Sequence, residues 1–452
     1  MNLPGQGFVK FGDLRHLSQS RQSGVKTIVP RLQTCKLASR TCDNKCSMGA
    51  QKQEIYPKGA FKMQAGLIML CLAYVLSQFF RAFLGVLTTV LAQDIGATPS
   101  DLADASGMWF LSFAAMQLPV GWALDHLGPR RTSAWLLFLG GSGGAAVFAL
   151  ATSPFHVSMA MFFIGIGCSP VLMASYYIFA RQYPAARFAT LAALMLGIGS
   201  VGNLVASYPT AFAVEHLGWR ATLWALALAS WLVASGIFLT VQDPAKPEGG
   251  QKGSVMELLK MPALWMIFPL MFVCYAPSGA LRGLWIGPYL NDVYGLDTGE
   301  IGLAAFVMGV AMVAGTFAYG PLDRILGSRK WVIFGGNALG VLGMVALIFV
   351  TGAPIWMPIA VMAFVGFVGG SFPVIIAHGR AFVPPQLVGR GVTLLNFFGI
   401  GGVGIMQFAS GRLHSNTAGT DPSAPYLVIF GFFALSLTAG CVIYLFSRDR
   451  LD

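Results

Sequence analysis

Two arginines stand alone inside long apolar stretches of the chain, Arg81 within 64–92 and Arg282 within 263–290. Placing a guanidinium in an apolar environment costs about 2.5–3.5 kcal/mol on membrane-insertion scales, so such residues usually serve a function. The planar group offers five donors that suit a carboxylate, a phosphate or the imide-like edge of a ring. We therefore take both side chains as candidates for binding a ligand that carries hydrogen-bond acceptors.

Helical spacing gives each arginine aromatic and polar neighbours on its own helix face. Beside Arg81 they are Tyr74 and Gln78, and beside Arg282 they are Tyr275, Ser278 and Trp285. The predicted substrate-binding residues are Arg81, Arg282, Tyr74, Gln78, Tyr275, Trp285 and Asn396. Ser200, Asn203 and Ser207 form a further polar stripe. In the alternative interpretation, each arginine extends to the outer membrane interface or pairs with Asp94, Asp104 or Glu300.

The composition identifies the elements that must position these side chains. The chain has 452 residues, of which 56% are hydrophobic and only 10% are charged, whereas soluble domains carry about 25% charged residues. Membrane helices need about 20 apolar residues each, and twelve such segments follow residue 62. We number them 1 to 12: 64–92, 102–122, 132–151, 155–178, 188–213, 220–241, 263–290, 300–321, 331–350, 355–379, 390–411 and 425–446. The predicted fold is an all-α integral membrane protein with twelve transmembrane helices in two six-helix pseudo-symmetric halves.

The segments divide the chain into four parts. Residues 1–62 are polar and basic without an apolar run, which predicts a disordered tail or a true start at Met48 or Met63. Residues 63–241 form the N-terminal half, here called the first repeat, and residues 263–452 form the C-terminal half, the second repeat. The polar stretch 242–262 is predicted to be a central cytoplasmic loop that joins them. The three Cys of the tail fit no common zinc pattern, so no metal site is predicted.

The net charge of +11 would suit nucleic-acid binding, but its distribution indicates membrane topology instead. Arg and Lys concentrate in alternate loops, as the positive-inside rule requires. These residues include Arg130, Arg131, Arg181, Arg187, Lys260, Arg324, Arg329, Lys330, Arg380 and Arg390. We therefore predict a multi-pass protein of the bacterial inner membrane with both termini in the cytoplasm. We expect no nucleic-acid partner.

A sequence motif occurs twice, as GWALDHLGPRR at 121–131 and as GPLDRILGSRK at 320–330. The first copy resembles the signature loop of the major facilitator superfamily, approximately G-x-x-x-D-[RK]-x-G-[RK]-[RK], although His126 and Pro129 depart from it. The second copy is looser in spacing. The resemblance implies a transporter that works by alternating access. Transporters built from repeats place the substrate between them near the membrane midplane.

The resemblance also implies a gate at the repeated motif. In the family, the motif's Asp lies at a helix end against a neighbouring helix and basic residues, and this contact holds the inward gate closed. The predicted gating residues are Asp125, Gly128, Arg130, Arg131, Asp323 and Arg324. In the alternative interpretation, these charges only set the topology.

Three substrate classes compete. Residues 77–96 and 163–190 resemble bacterial uptake carriers that include a riboflavin branch and a copper branch. The copper branch has paired methionine motifs, of which only Met308 and Met312 have the required spacing here. Riboflavin, whose ring would suit aromatic walls, is therefore the preferred substrate. The paired arginines resemble those of organophosphate exchangers, so an organic anion is the main alternative, followed by drug efflux.

The remaining predictions concern coupling and class. No Asp or Glu lies in the deep middle of any segment, so protons or a counter-solute stay open as coupling partners. Glu300, Asp104 and His378 are the candidates for proton coupling, although His378 is expected to face a loop. The sequence shows no nucleophile–base constellation. We therefore predict a monomeric transporter in the lipid bilayer, with no enzymatic activity and no cofactor.

Overall fold

The computed structural model describes residues 58–244, 255–384, 387–417 and 419–450. Every regular element among those residues is a helix, in agreement with the predicted all-α class. The first helix begins at Lys58, before the predicted start of the first repeat at Met63. The rest of the predicted tail lies outside the described residues, as do residues 245–254 of the predicted central loop.

The first repeat contains segments 1 to 6, several of which consist of consecutive shorter helices. Their bounds are Lys58–Phe80, Phe83–Val86 and Thr88–Ile95 for segment 1; Pro99–Ala115 and Gln117–His126 for segment 2; Pro129–Leu136, Leu137–Ser142 and Gly143–Ala149 for segment 3; Pro154–Cys168 and Val171–Gln182 for segment 4; Ala185–Val205 and Tyr208–Leu217 for segment 5; and Trp219–Thr240 for segment 6.

The second repeat follows the short helix Val255–Leu259. Its bounds are Pro262–Trp265, Phe268–Cys274, Ala276–Ala280, Leu281–Trp285 and Ile286–Tyr294 for segment 7; Thr298–Leu326 for segment 8; Arg329–Val350 for segment 9; Trp356–Val368, Gly369–Ser371 and Phe372–Ala381 for segment 10; Val388–Thr417 for segment 11; and Ala424–Tyr444 for segment 12.

The number of membrane crossings depends on how bent helices are counted. Within the described residues, nine helices are long and apolar enough to cross a membrane, or up to eleven if each of two bent pairs is one span. Both pairs bend by 41°, one in segment 2 and one in segment 5. Segment 1 contributes a shorter apolar helix, Gln64–Phe80. The predicted count of twelve therefore stays a prediction.

Segments 2 and 8 begin in the same way. Thr98 and Asp101 form a reciprocal capping box in which each side chain accepts a hydrogen bond from the other residue's backbone N–H. Asp297 and Glu300 do the same at the start of segment 8, with distances of 2.9 and 3.2 Å. Such boxes satisfy donors that a helix start leaves unpaired. Glu300, a candidate for proton coupling, thus has a local structural role.

The repeats meet closely at one side of the molecule. We call the side that holds residues 94–98 and 295–298 the acidic side, and the side that holds the turns 127–129 and 327–329 the basic side. On the acidic side, a Cβ added at Gly287 would lie 2.1 Å from the carbonyl oxygen of Gly85. A Cβ added at Gly411 would lie 2.8 Å from the Cβ of Ala103. Small residues thus bring segments 1 and 7, and segments 2 and 11, into close contact.

Candidate substrate site and gates

Both candidate arginines lie where their helices are irregular. The first helix of segment 1 ends at Phe80, and Arg81 follows in a turn before the short 3-10 helix Phe83–Val86. Arg282 lies within the π-helical turn Leu281–Trp285. Transporters commonly place substrate sites at such discontinuous membrane helices. The two breaks face each other, because a Cβ at Gly283 would lie 3.2 Å from the carbonyl oxygen of Arg81.

Arg81 has aromatic neighbours but no acidic partner. Its guanidinium carbon lies 5.3 Å from the ring centroid of Trp109 and 5.7 Å from that of Phe113, both in segment 2. Its Nε atom is buried without a hydrogen-bond partner. No carboxylate among the described residues lies within ion-pair distance of it. The cation is therefore held by ring faces alone.

The carboxylates proposed as partners of Arg81 have other neighbours. Asp94 accepts hydrogen bonds from Arg220 and from the Trp219 indole at 3.0 Å. Asp104 lies in electrostatic range of Arg412, and Glu300 caps its own helix. The alternative in which these residues neutralise Arg81 is therefore wrong for this structure.

Tyr74 and Gln78 form a pair next to Arg81. Gln78 Nε2 donates to the Tyr74 hydroxyl at 2.9 Å, so their four-residue spacing brings them together. Tyr74 lies in electrostatic range of both Arg81 and Tyr275 of the second repeat. The face of segment 1 that carries them is thus turned toward segment 7.

Arg282 is 4% exposed and connects the repeats. Its Nη1 donates to Asn203 Oδ1 at 3.1 Å, and its Nη2 donates to the Asn203 carbonyl oxygen and to Ser207 Oγ at 2.9 Å. Gly309 of segment 8 leaves the space that the guanidinium occupies, since a Cβ there would lie 3.1 Å from Nη2. The polar stripe of segment 5 therefore provides the acceptors for this buried cation.

Trp285 does not share the surroundings of the Arg282 head group. It is 0% exposed, and its indole donates to Gln407 Oε1 at 3.1 Å and to Ser410 Oγ at 3.0 Å. Its ring stacks on His414 with centroids 5.3 Å apart. The expectation that it shares a face with Arg282 is wrong, because the π-helical turn Leu281–Trp285 is wider than an α-helical turn and changes the direction of successive side chains.

The two other predicted residues have fewer contacts. The Tyr275 ring packs against Phe372 with centroids 5.1 Å apart. Asn396 is half-buried in segment 11. Among the described residues, no contact joins Asn396 to Arg81 or to Arg282.

In the first repeat, the motif at 121–131 makes three contacts with other parts of the chain. Asp125 lies 3.7 Å from Arg181 at the end of segment 4. The backbone N–H of Arg130 donates to Asp243 at 2.8 Å, and the close approach requires glycine at position 128, where φ is +88°. The Arg130 guanidinium lies over Phe238, and Arg131 is exposed. The side-chain partner of Asp125 is therefore Arg181, which the motif itself does not contain.

In the second repeat, Asp323 pairs with Arg329 at 3.0 Å. Arg329 also donates to the Ala377 carbonyl oxygen of segment 10 at 3.4 Å. Arg324, the predicted gating residue, is exposed. It lies on a different face of the last helical turn, because adjacent residues of a helix point in different directions.

Asp449 corresponds to Asp243, since each follows the last segment of its repeat. Asp449 accepts hydrogen bonds from the Lys330 backbone N–H at 2.9 Å and the Ser328 hydroxyl at 2.5 Å. Desolvation opposes ionisation of the Asp449 carboxyl, but the hydrogen bonds from Ser328, Lys330 and the Arg450 backbone, with the nearby His378, together lower its pKa. Sequence reasoning missed both residues, although QDP at 242–244 and RDR at 448–450 were visible signals.

His378 is buried, so the expectation that it faces a loop is wrong. Its Nε2 lies 3.0 Å from the Arg448 carbonyl oxygen, and its Nδ1 lies 2.7 Å from the Tyr444 hydroxyl. Both ring nitrogens therefore contact segment 12 and the residues that follow it, which fixes the end of segment 10.

The sequence profile described as Major Facilitator Superfamily matches residues 70–297 and 270–452. The chain belongs to this superfamily. Among curated members, it is 23% identical over 277 residues to a probable sulfoacetate transporter of Cupriavidus necator, covering 57% of this chain and 64% of that protein. It is 22% identical over 276 residues to a sialic acid transporter of Escherichia coli, covering 58% and 66%. The chain thus spans about two thirds of the length of these relatives.

Solved structures of the superfamily share the fold. A bacterial homologue of the human lysosomal transporter Spinster, in an inward-facing and occupied conformation, aligns with a TM-score of 0.64 at 18% identity, covering 84% of this chain and 94% of that one. A D-xylose–proton symporter aligns with a TM-score of 0.69 at 16% identity, covering 85% and 98%. The chain therefore has the multi-pass helical fold of this superfamily.

Proposed function

We propose that the protein transports a small organic anion of the carboxylate or sulfonate class by alternating access. The observation that carries this proposal is the guanidinium of Arg81, which lies at a helix break between aromatic rings without a carboxylate partner. Arg81 is half-buried, and its Nε–H is buried without an acceptor, which is unfavourable. An anionic substrate supplies the missing charge and forms charge-assisted hydrogen bonds with it.

Riboflavin is less well supported than an anion. That prediction relied on Trp285 as an aromatic wall beside Arg282, and Trp285 is instead enclosed by Gln407, Ser410 and His414. Copper is also less well supported. Met308 and Met312 pack against Gly366 of segment 10, where a Cβ would lie 3.1 Å from Cγ of Met308 and 3.0 Å from Cγ of Met312.

The contacts between the repeats support an inward-open conformation. The repeats are in close contact on the acidic side, whereas on the basic side the ion pairs Asp125–Arg181 and Asp323–Arg329 each join segments of the same repeat. By the positive-inside rule, the basic side faces the cytoplasm. We infer a bacterial inner-membrane protein with cytoplasmic termini, whose gate includes Asp125, Gly128, Arg130, Arg131, Asp323 and Arg324.

The relatives favour the anion class. Sulfoacetate and sialic acid, the compounds in the names of two relatives, are both organic acids. Proteoliposomes that contain the full chain test the proposal directly. We would measure uptake of radiolabelled sulfoacetate and N-acetylneuraminate, with D-xylose and riboflavin as neutral comparators.

We expect saturable flux of at least one acid, inhibition of that flux by other acids, and background flux of the neutral compounds. Preloading the vesicles with unlabelled acid, or imposing a pH gradient, identifies the counter-solute or proton as coupling partner. Riboflavin flux that no acid inhibits would favour riboflavin transport over anion transport. Background flux of all solutes would contradict both the anion and the riboflavin proposals.

A further inference from the structure

Two buried polar atoms of segment 1 lack partners and lie three residues apart. One is Nε of Arg81, and the other is Oε1 of Gln78, a residue that is 9% exposed. The first is a donor and the second an acceptor. Buried polar groups are rarely left unpaired, so both atoms together indicate a ligand that offers an acceptor and a donor.

The Gln78 amide is held in place by Tyr74. Its Nε2 donates to the Tyr74 hydroxyl at 2.9 Å. The Tyr74 ring is itself fixed against segment 5, because a Cβ added at Gly199 would lie 2.2 Å from that ring. The Tyr74 hydroxyl can accept from the Gln78 amide or donate to it, so reversing the amide would keep this bond and leave Nε2 unpaired instead of Oε1. In either orientation one polar atom of the Gln78 amide is held free of protein partners, and a hydroxyl can pair with either atom.

The spacing along segment 1 limits the shape of the ligand. Gln78 lies in the last turn of the helix that ends at Phe80, and Arg81 follows in the next turn of the chain, so the two side chains leave the backbone within one helical pitch, about 5 Å, of each other. A hydroxyl on a carbon close to a carboxylate bridges such a distance together with its hydrogen bonds. A hydroxyl also suits the site because it donates one hydrogen bond and accepts others.

We propose that the substrate is a hydroxylated organic acid, whose anionic group binds Arg81 and whose hydroxyl pairs with the free polar atom of the Gln78 amide. Gln78 is then the specificity-determining residue of the site, and Tyr74 is a positioning residue that acts through it. The proposal rests on the proposed function, because it assigns the anionic group to Arg81. It goes further in naming the second functional group of the substrate.

Matched acids test the inference with the purified full chain. Lactate is compared with propionate, and 3-hydroxybutyrate with butyrate, by competition or calorimetry. In the wild type, the hydroxylated member of at least one pair should bind about tenfold more tightly, the usual effect of one hydrogen bond. In Gln78→Leu, this preference should disappear while the affinity for the unsubstituted acid is retained.

Gln117→Leu is the control. Gln117 is also buried, its Nε2 donates to the Phe113 carbonyl oxygen at 3.2 Å, and its Oε1 also lacks a partner. Gln117 lies on segment 2, at the start of the helix Gln117–His126, and not on segment 1. Its replacement should therefore leave the hydroxyl preference unchanged. Tyr74→Phe should reduce the preference, because Gln78 loses the hydroxyl that orients it. The thermal midpoint of each variant verifies that it is folded.

The outcomes separate the two proposals. The assignment of Gln78 is overturned if the wild type binds acids without a hydroxyl preference, or if the preference persists in Gln78→Leu. Either result leaves the proposal of anion transport intact. An absence of binding by every acid overturns the proposed function itself. Equal loss of preference in Gln78→Leu and Gln117→Leu would also contradict the assignment.

Discussion

Arg282 of the second repeat donates to both the side-chain and the backbone oxygen of Asn203 in the first repeat. A single buried cation thus connects segments 7 and 5 across the interface between the repeats. Its partners are neutral oxygens, and no carboxylate among the described residues pairs with it. This connection belongs to the conformation in which the acidic side is closed, and we expect it to break when the repeats separate there.

Replacing Arg282 with Lys should shift the protein toward the conformation that is open on the acidic side. An ammonium keeps the charge but cannot reproduce the planar set of donors that reaches Asn203 and Ser207. Spin labels at the exposed positions Gln93 and Leu303 would report a larger population of long distances. Arg448→Lys, which changes an exposed arginine of the same repeat outside the proposed gate, is the control. An unchanged distance distribution in Arg282→Lys would contradict the role of this connection.

Replacing Gly287 with Ala should also oppose closure of the acidic side, because the added methyl group would clash with segment 1. The new Cβ would lie 2.1 Å from the Gly85 carbonyl oxygen and 2.3 Å from Thr88 Oγ1. Overpacking of this kind costs about 1–3 kcal/mol. The spin-label pair should therefore report opening, and transport should fall. Gly335→Ala, at a helical glycine with open space around it, should change neither quantity.

The arginine sites show how far spacing alone can predict the structure. Residues 74, 78 and 81 belong to one regular helix or its end, so their common direction follows from 3.6 residues per turn. Residues 282 and 285 do not share a direction, because the intervening π-helical turn depends on packing against segments 1 and 11. The acceptors of Arg282 were visible as a polar stripe, but their pairing with it depends on tertiary contact.

The gates show a similar division. The repeated motif placed Asp125 and Asp323 at helix ends, and both are there. Their partners are Arg181 and Arg329, and only a three-dimensional arrangement selects these among the many basic residues of one side. A single sequence does not indicate which helix ends lie next to each other in the fold.

The two motif carboxylates should respond differently to neutralisation. Asp125 is exposed and Asp323 is buried. An exposed ion pair contributes about 1 kcal/mol or less, so Asp125→Asn should insert and fold normally while its transport falls strongly because the gate loses a charge. Asp323→Asn should also lower thermal stability, since it leaves Arg329, whose side chain is only 14% exposed, without its counter-ion. Wild-type flux in a well-expressed Asp125→Asn variant would contradict the gating role.

The lowered pKa of Asp449 predicts an acid effect. Its folded-state pKa is depressed, so its ionised form stabilises the fold above its ordinary pKa of about 3.9. That stabilisation is lost as the pH falls through the lowered value. The thermal midpoint of the wild type should therefore fall below about pH 4, and Asp449→Asn should show a smaller acid-induced decrease. Equal decreases in both proteins would show that the hydrogen bonds to Ser328 and Lys330 contribute nothing measurable.

Binding of an organic acid to Arg81 variants tests the central claim most directly. The measurement is the dissociation constant of the best-transported acid for the wild type, Arg81→Lys and Arg81→Gln. Removing the charge in Arg81→Gln should weaken binding by about 1.5–3 kcal/mol, the scale of a hydrogen bond to a charged group. Arg81→Lys should restore only part of the affinity, because it lacks the planar donors. Unchanged affinity in Arg81→Gln would contradict the account, because the anion would then bind elsewhere.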